Sequence, residues 1–147
     1  MNWRASPSLR TSWAGVDVML GLGDTVLIPK PGQDKSHLWV LVTAVNPQSG
    51  EVIIVNFTTE RPHSDKTVVI QPGEHRFVDR PTVVFYSDAR FTKLAALEAA
   101  VNQGIANQHD PLSPALLKRV QEGLLQSPLT PAKIRTAFTT AQQQGLT

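Results

Sequence analysis

His37-Leu-Trp-Val-Leu-Val-Thr43, then Asn46-Pro-Gln-Ser-Gly50, then Glu51-Val-Ile-Ile-Val-Asn-Phe-Thr58: the fold is decided in this stretch. β-Branched and aromatic residues dominate both apolar runs, and such side chains pack well on a pleated sheet. The intervening Asn, Pro, Ser and Gly are turn formers. Two such runs around a short turn read as a β-hairpin. The unbroken apolar character of His37–Thr43 predicts a strand covered on both faces.

Working outward, Gly23-Asp24 leads into Thr25-Val-Leu-Ile28, a β-prone run stopped by Pro29 and Pro31, with a polar loop from Gly32 to Ser36. On the other side a polar loop, Thr59 to Lys66, precedes Thr67-Val-Val-Ile70. Gln71-Pro-Gly-Glu-His75 is another turn, and Pro81 opens a last run, Thr82-Val-Val-Phe-Tyr86. Five or six short strands with brief turns predict a small barrel or a strongly bent sheet. The connections are too short for crossover helices, so an antiparallel sheet is expected.

After Phe91 the apolar residues change to Leu and Ala at helical spacing. Leu94, Leu97, Ala100 and Val101 predict a helix over Thr92–Asn102, ended by Gly104. Ser113-Pro114 and Thr130-Pro131 each pair a capping residue with proline at the first helical position. Leu116, Leu117, Val120, Leu124 and Leu125 would line the second helix; Ile134, Ala137, Phe138 and Ala141 the third. The chain therefore divides into an N-terminal arm (1–21), a β domain (22–91) and a helical tail (92–147), an α+β class overall. Trp3 and Trp13 make the arm either a segment packed on the body by its aromatics or a loose terminus.

The chain has 147 residues, no cysteine, and 14 basic against 12 acidic side chains. Absence of cysteine excludes a disulfide scaffold, a thiolate zinc site and a cysteine nucleophile. No apolar run approaches the roughly 20 residues of a membrane helix. The first residues lack a basic segment followed by an apolar one, so no secretory signal is expected and the location expected is cytoplasmic. Residues 1–91 hold 9 basic and 9 acidic side chains, and residues 92–147 hold 5 and 3, so the net +2 lies wholly in the tail.

No phosphate-binding glycine loop, dinucleotide fingerprint, His-Glu-x-x-His or Gly-x-Ser-x-Gly is present. His37, His63, His75 and His109 are too dispersed for a spaced metal motif, and neither metal nor cofactor is expected. The polar groups at the strand ends are more informative. Asn46 stands nine positions after His37, and Thr59 nine positions after Gly50. A hairpin with this turn puts His37 beside Thr58 and Thr59 at its open end. Histidine titrates near neutrality and serves as acid or base; threonine hydroxyls can bind a phosphate or a ribose hydroxyl. A second patch, Gly73-Glu-His75-Arg76 with Arg80, suits an anionic substrate, and Lys66 could join either patch. Tyr86 can stack or donate a hydrogen bond. Each group also has a plain structural use, in loop hydrogen bonding or as a solvated turn.

Gly23-Asp24-Thr-Val-Leu-Ile, the strand His37–Thr43, and Val55-Asn-Phe-Thr58-Thr59 together resemble the MazF/PemK (Kid) toxins over about residues 22–92. The resemblance implies a small SH3-like barrel followed by a helix, commonly dimeric. It implies metal-independent cleavage of single-stranded RNA through the ribose 2′-hydroxyl, with an antitoxin that blocks the RNA groove. Thr58 and Thr59 match the family's threonine at the end of the central strand. His37 stands where the family often has an arginine, so it would replace that arginine as acid or base. On this reading His37 and His75 share the acid and base roles with Thr58 assisting. Thr59, Lys66, Arg80 and Tyr86 would then contact the substrate. Residues 105–147 exceed the family pattern. Two other functions suit the same residues: a non-catalytic SH3-like module binding protein or nucleic acid, and an assembly protein using the sheet as scaffold.

Overall fold

The nine-residue strand Glu51–Thr59 organises the chain, described in a computed structural model over residues 17–147. The elements in order are β1 (Thr25–Pro29), β2 (Ser36–Leu41), β3 (Glu51–Thr59), β4 (Val69–Ile70), β5 (Thr82–Val84), β6 (Arg90–Lys93), α1 (Leu94–Asn102), β7 (Asn107–His109), α2 (Pro114–Gln126) and α3 (Ala132–Gln143). A single 3₁₀ turn, Tyr86–Asp88, lies between β5 and β6. Every strand pairing is antiparallel, in the order β4-β5-β3-β2-β1-β7, with β6 also on β3. The class is α+β. The sheet runs open from β4 to β7, with no pairing between those two strands among the described residues.

The expected hairpin is present. Trp39, Val40 and Leu41 face Asn56, Val55 and Ile54 across it. Asn46 shapes the turn: its Oδ1 accepts from Gln48 N at 2.8 Å, and Gly50 takes a φ of 72° there. The far edge of β3 is shared. β6 pairs with its first half, Glu51–Ile54, and β5 with its last residues, Phe57–Thr59. Between them Phe85 N donates to Asn56 O at 2.8 Å, so the backbone ladder is carried over the junction.

Both faces of the β2–β3 hairpin are buried, as its apolar run predicts. On one face Leu38, Val40, Val42, Ile53, Val55 and Phe57 pack against Leu116, Val120 and Leu124 of α2 and Ile134 and Phe138 of α3. On the other Val26, Trp39, Leu41, Val52 and Ile54 pack with Leu97 of α1, Leu20 and Ala106. The helical tail thus forms the second layer of the same core as the sheet. Residues 18 and 20 are tied to α1: Val18 N donates to Asn102 Oδ1 and Leu20 N to Glu98 Oε2. The arm around Trp3 and Trp13 lies outside the described residues.

Ser113 caps α2 as expected, its Oγ accepting from Leu116 N at 3.2 Å with Pro114 at the first helical position. Thr130 departs from expectation. It does not cap α3, which begins at Ala132 after Pro131. Its hydroxyl instead donates to Leu124 O at 2.7 Å, and Arg135 donates to Leu125 O and Ser127 O. These bonds satisfy carbonyls that the end of α2 leaves without helical partners. No helix of the described residues is long and apolar enough to cross a membrane.

Candidate functional site

The open end of the β2–β3 hairpin forms a cleft of about 500 Å³. His37 comes from β2, where it pairs with Ile28 of β1. Continuing the β2–β3 register two residues beyond Trp39–Asn56 puts His37 across from Thr58. Thr58 and Thr59 pair in turn with Val83 and Thr82 of β5. His37 is half-buried, with Nδ1 3.4 Å from Phe57 O. On its other side the β1–β2 loop brings Lys30 and Lys35 to the rim. Arg61 and Arg80 close the cleft from the loops flanking β4 and β5, with Phe77 and Asp79 beside them.

A second lobe of about 460 Å³ shares Lys30, His37 and Thr58 with the first. It is lined by Trp39, Asn56, Phe85 and Arg90 among others. Arg90 lies over the Trp39 ring, 4.8 Å from its centroid, and pairs with Asp88. Residues 1–91 are neutral in sum, yet the two lobes gather Lys30, Lys35, Arg61, Arg80 and Arg90 against only Asp79 and Asp88. Lys30, Lys35 and Arg61 form no ion pair among the described residues. Asp79 is held below the ordinary carboxylate range by the hydrogen bond and charge of Arg80. The cleft therefore presents a surplus of cations at either lobe.

The structure brings together His37, Thr58, Thr59 and Arg80, and leaves His75, Lys66 and Tyr86 outside. His75 is buried, its Nε2 2.8 Å from Asp110 O, while its Nδ1 accepts from Phe77 N at 3.1 Å. Both ring nitrogens are thereby used by backbone groups. Its ring packs against that of His109, with 5.3 Å between centroids. Its role is to fasten the β4–β5 loop to the segment before α2, and the Arg76–Asp110 pair reinforces that seam. The expected sharing of acid and base roles by His37 and His75 therefore has no geometric basis.

Tyr86 is wholly buried, and its hydroxyl donates to Val120 O at 2.7 Å. It fixes α2 to the sheet and does not face substrate. Burial pushes its phenol well above the ordinary tyrosine range. Lys66 Nζ donates to Arg61 O and Pro62 O at 3.1 and 3.0 Å, bracing the loop that carries Arg61.

Sequence reasoning missed Lys30, Lys35, Arg61, Asn56 and Phe85. A signal for the first three was present. The hairpin count placed Thr58–Thr59 at the open end, and the loops entering β2 and leaving β3 must lie there too. Asn56 was also visible as the one polar residue inside Val52–Phe57.

No protein-family model matches the chain, and no curated protein matches it.

Proposed function

We propose that the chain is an endoribonuclease of the MazF/PemK (Kid) kind, acting on single-stranded RNA through the ribose 2′-hydroxyl. The observation that carries this reading is the cation-rich cleft in which His37 and the Thr58–Thr59 pair stand on adjacent strands. In it a phosphodiester would lie between Lys30, Lys35 and Arg61, charges that attract a polyanion without sequence readout. His37 takes the 2′-hydroxyl proton as general base. Thr58 donates its hydroxyl to a non-bridging phosphate oxygen, and Arg80 or Arg61 offsets the charge of the pentacoordinate phosphorane. The 2′-oxygen forms its bond to phosphorus as the bond to the 5′-oxygen breaks. That leaving oxygen takes its proton from water. The products are a 2′,3′-cyclic phosphate and a 5′-hydroxyl.

The antiparallel pairing of short strands on both edges of β3 supports the SH3-like assignment, with β7 and the helices as additions to it. The same cleft would be the surface an acidic antitoxin covers, and an RNA substrate implies action in the cytoplasm. A homodimer extending the cleft is part of this reading. The exposed Phe77 and Phe85 favour a second reading, a module that binds nucleic acid or protein without cleaving it.

An RNA cleavage assay in chelator, with wild type and His37→Ala, separates the two. Cleavage by wild type, reduced about 100-fold or more in His37→Ala with folding intact, supports the ribonuclease. RNA retained in the cleft without cleavage supports the binding module and ends the catalytic reading.

A further inference from the structure

Asn56 sits in the middle of β3 and is 3% exposed, yet its Oδ1 has no hydrogen-bond partner among the described residues. A buried amide left unpaired is costly, and such groups are rare in folded chains. The neighbouring positions on β3 are apolar, so an apolar residue would suit the core better here. Asn56 also lines the second lobe of the cleft. Alternation along a strand places residues 56 and 58 on one face of β3 and residues 37 and 39 on the same face of β2. The unpaired amide therefore shares a face with His37 and Thr58, about 7 Å along the strand from the latter.

The rest of the lobe is suited to a flat ring. Phe85, 41% exposed, and Trp39, 7% exposed with Arg90 over its ring, both line the lobe. Aromatic side chains stack on nucleobases of any sequence. An amide adds what stacking lacks. It offers one donor and one acceptor side by side, and rotation about its terminal torsion exchanges them.

We infer that this second lobe is a nucleobase-reading subsite: one unstacked base of a single-stranded RNA lies against Phe85 and is hydrogen-bonded edge-on by the amide of Asn56. The inference rests on the ribonuclease reading for the class of ligand, and it adds what that reading lacks, a source of sequence preference. The phosphate attached to that base would reach His37, Thr58 and Lys30, which both lobes share. Base contacts specify while phosphate contacts position. Asn56 is thus a specificity residue, and the first lobe supplies affinity.

The test uses the full chain and short RNAs that cannot be cleaved. Fluorescence anisotropy is measured with labelled 2′-fluoro tetranucleotides of A, C, G and U. The wild type should prefer one base over the weakest by about tenfold or more, the discrimination of a good bidentate contact. Asn56→Leu should compress that preference to less than about threefold. Phe85→Ala, a change at an exposed residue, should weaken all four about tenfold without reordering them. Asn56→Asp, which can only accept when ionised, should move the ranking towards guanine with its two adjacent donors. It keeps the test decisive if Asn56→Leu does not fold. Equal binding of the four RNAs by wild type, or a preference unchanged in both Asn56 variants, overturns the inference. Binding with Asn56-dependent preference but no cleavage of natural RNA keeps the subsite and removes the ribonuclease. Cleavage with no dependence on Asn56 does the reverse.

Discussion

Gly123 in α2 shows how one residue decides a close approach. A Cβ at this position would fall inside contact distance of Tyr86 Oη and Val68 Cγ2. Tyr86 cannot step aside, because it is wholly buried and hydrogen-bonded to Val120 O. Gly123→Ala therefore sets two effects against each other. Alanine gains about 1 kcal/mol of helix propensity, while overpacking a tight core costs about 1–3 kcal/mol. Overpacking wins, because neither neighbour has free space. Urea unfolding should show a net loss of up to about 2 kcal/mol for Gly123→Ala. Tyr86→Phe, which removes one buried hydrogen bond, should lose about 1 kcal/mol. The double variant should lose less than the sum, since the deleted hydroxyl makes room for the new methyl. Full additivity would mean that α2 shifts to relieve the clash. The reason for Gly123 lies in Tyr86, 37 positions away in the chain.

At the scale of elements, the strands and helices with an apolar pattern were legible, the short β4 and β5 among them, and those without one were not. β1, β2, β3, α2 and α3 stand close to where alternation, apolar runs and turn residues put them. β6 and β7 were missed. Arg90-Phe-Thr-Lys93 and Asn107-Gln-His109 have little apolar pattern, because backbone pairing to β3 and β1 makes them strands. The same pairing delays α1 to Leu94, two residues after the predicted start at Thr92. The junctions between elements also depend on partners distant in sequence. Asp65, in the loop before β4, accepts from Ser127 Oγ at 2.5 Å and from Thr67 N and Oγ1, so it ties the sheet to the α2–α3 turn. Burial raises its pKa, but these hydrogen bonds outweigh burial and hold the carboxyl below its ordinary value. A carboxyl depressed in the folded state stabilises the chain above its unfolded pKa. That stabilisation is lost as the pH falls below about 4 and through the folded value. Asp65→Asn should lower stability at pH 7 and flatten the decline of stability between about pH 5 and 2. Denaturant midpoints measured across that range would show it, and an unchanged acid limb would remove Asp65 from the account.

For the whole molecule, net charge proved a poor guide to where charge acts. Residues 1–91 are neutral, 9 against 9, and yet five of those cations line the two lobes with two carboxylates. A local excess of this kind can draw a polyanion that net charge would not. The tail's own excess is partly committed elsewhere. Arg119 bonds Glu74 and Val69 O, and Arg135 caps α2, so both serve the fold. Replacing Lys30 and Lys35 by Gln should therefore weaken RNA binding. It should also make the slope of log affinity against log salt shallower, by about 0.7 for each phosphate these lysines neutralise. The matching change at Lys118 and Lys133, exposed on the helices, should leave the slope unchanged. Anisotropy titrations between about 50 and 200 mM salt, a range over which phosphate binding weakens strongly, would decide between the cleft and the tail as the RNA surface.

Residue pattern alone determined the antiparallel hairpin, the helix starts at Ser113-Pro114 and near Thr130-Pro131, and the meeting of His37 with Thr58 and Thr59. Those follow from local backbone preferences and from counting along two paired strands. The burial of His75 and Tyr86, the open path of the sheet, and the gathering of Lys30, Lys35 and Arg61 around His37 were decided only in three dimensions. Each depends on which loops the pairing of β1, β3 and β5 brings to one end. It also depends on which polar atoms find a backbone partner once α2 closes over the sheet, and neither is encoded within reach of a local pattern.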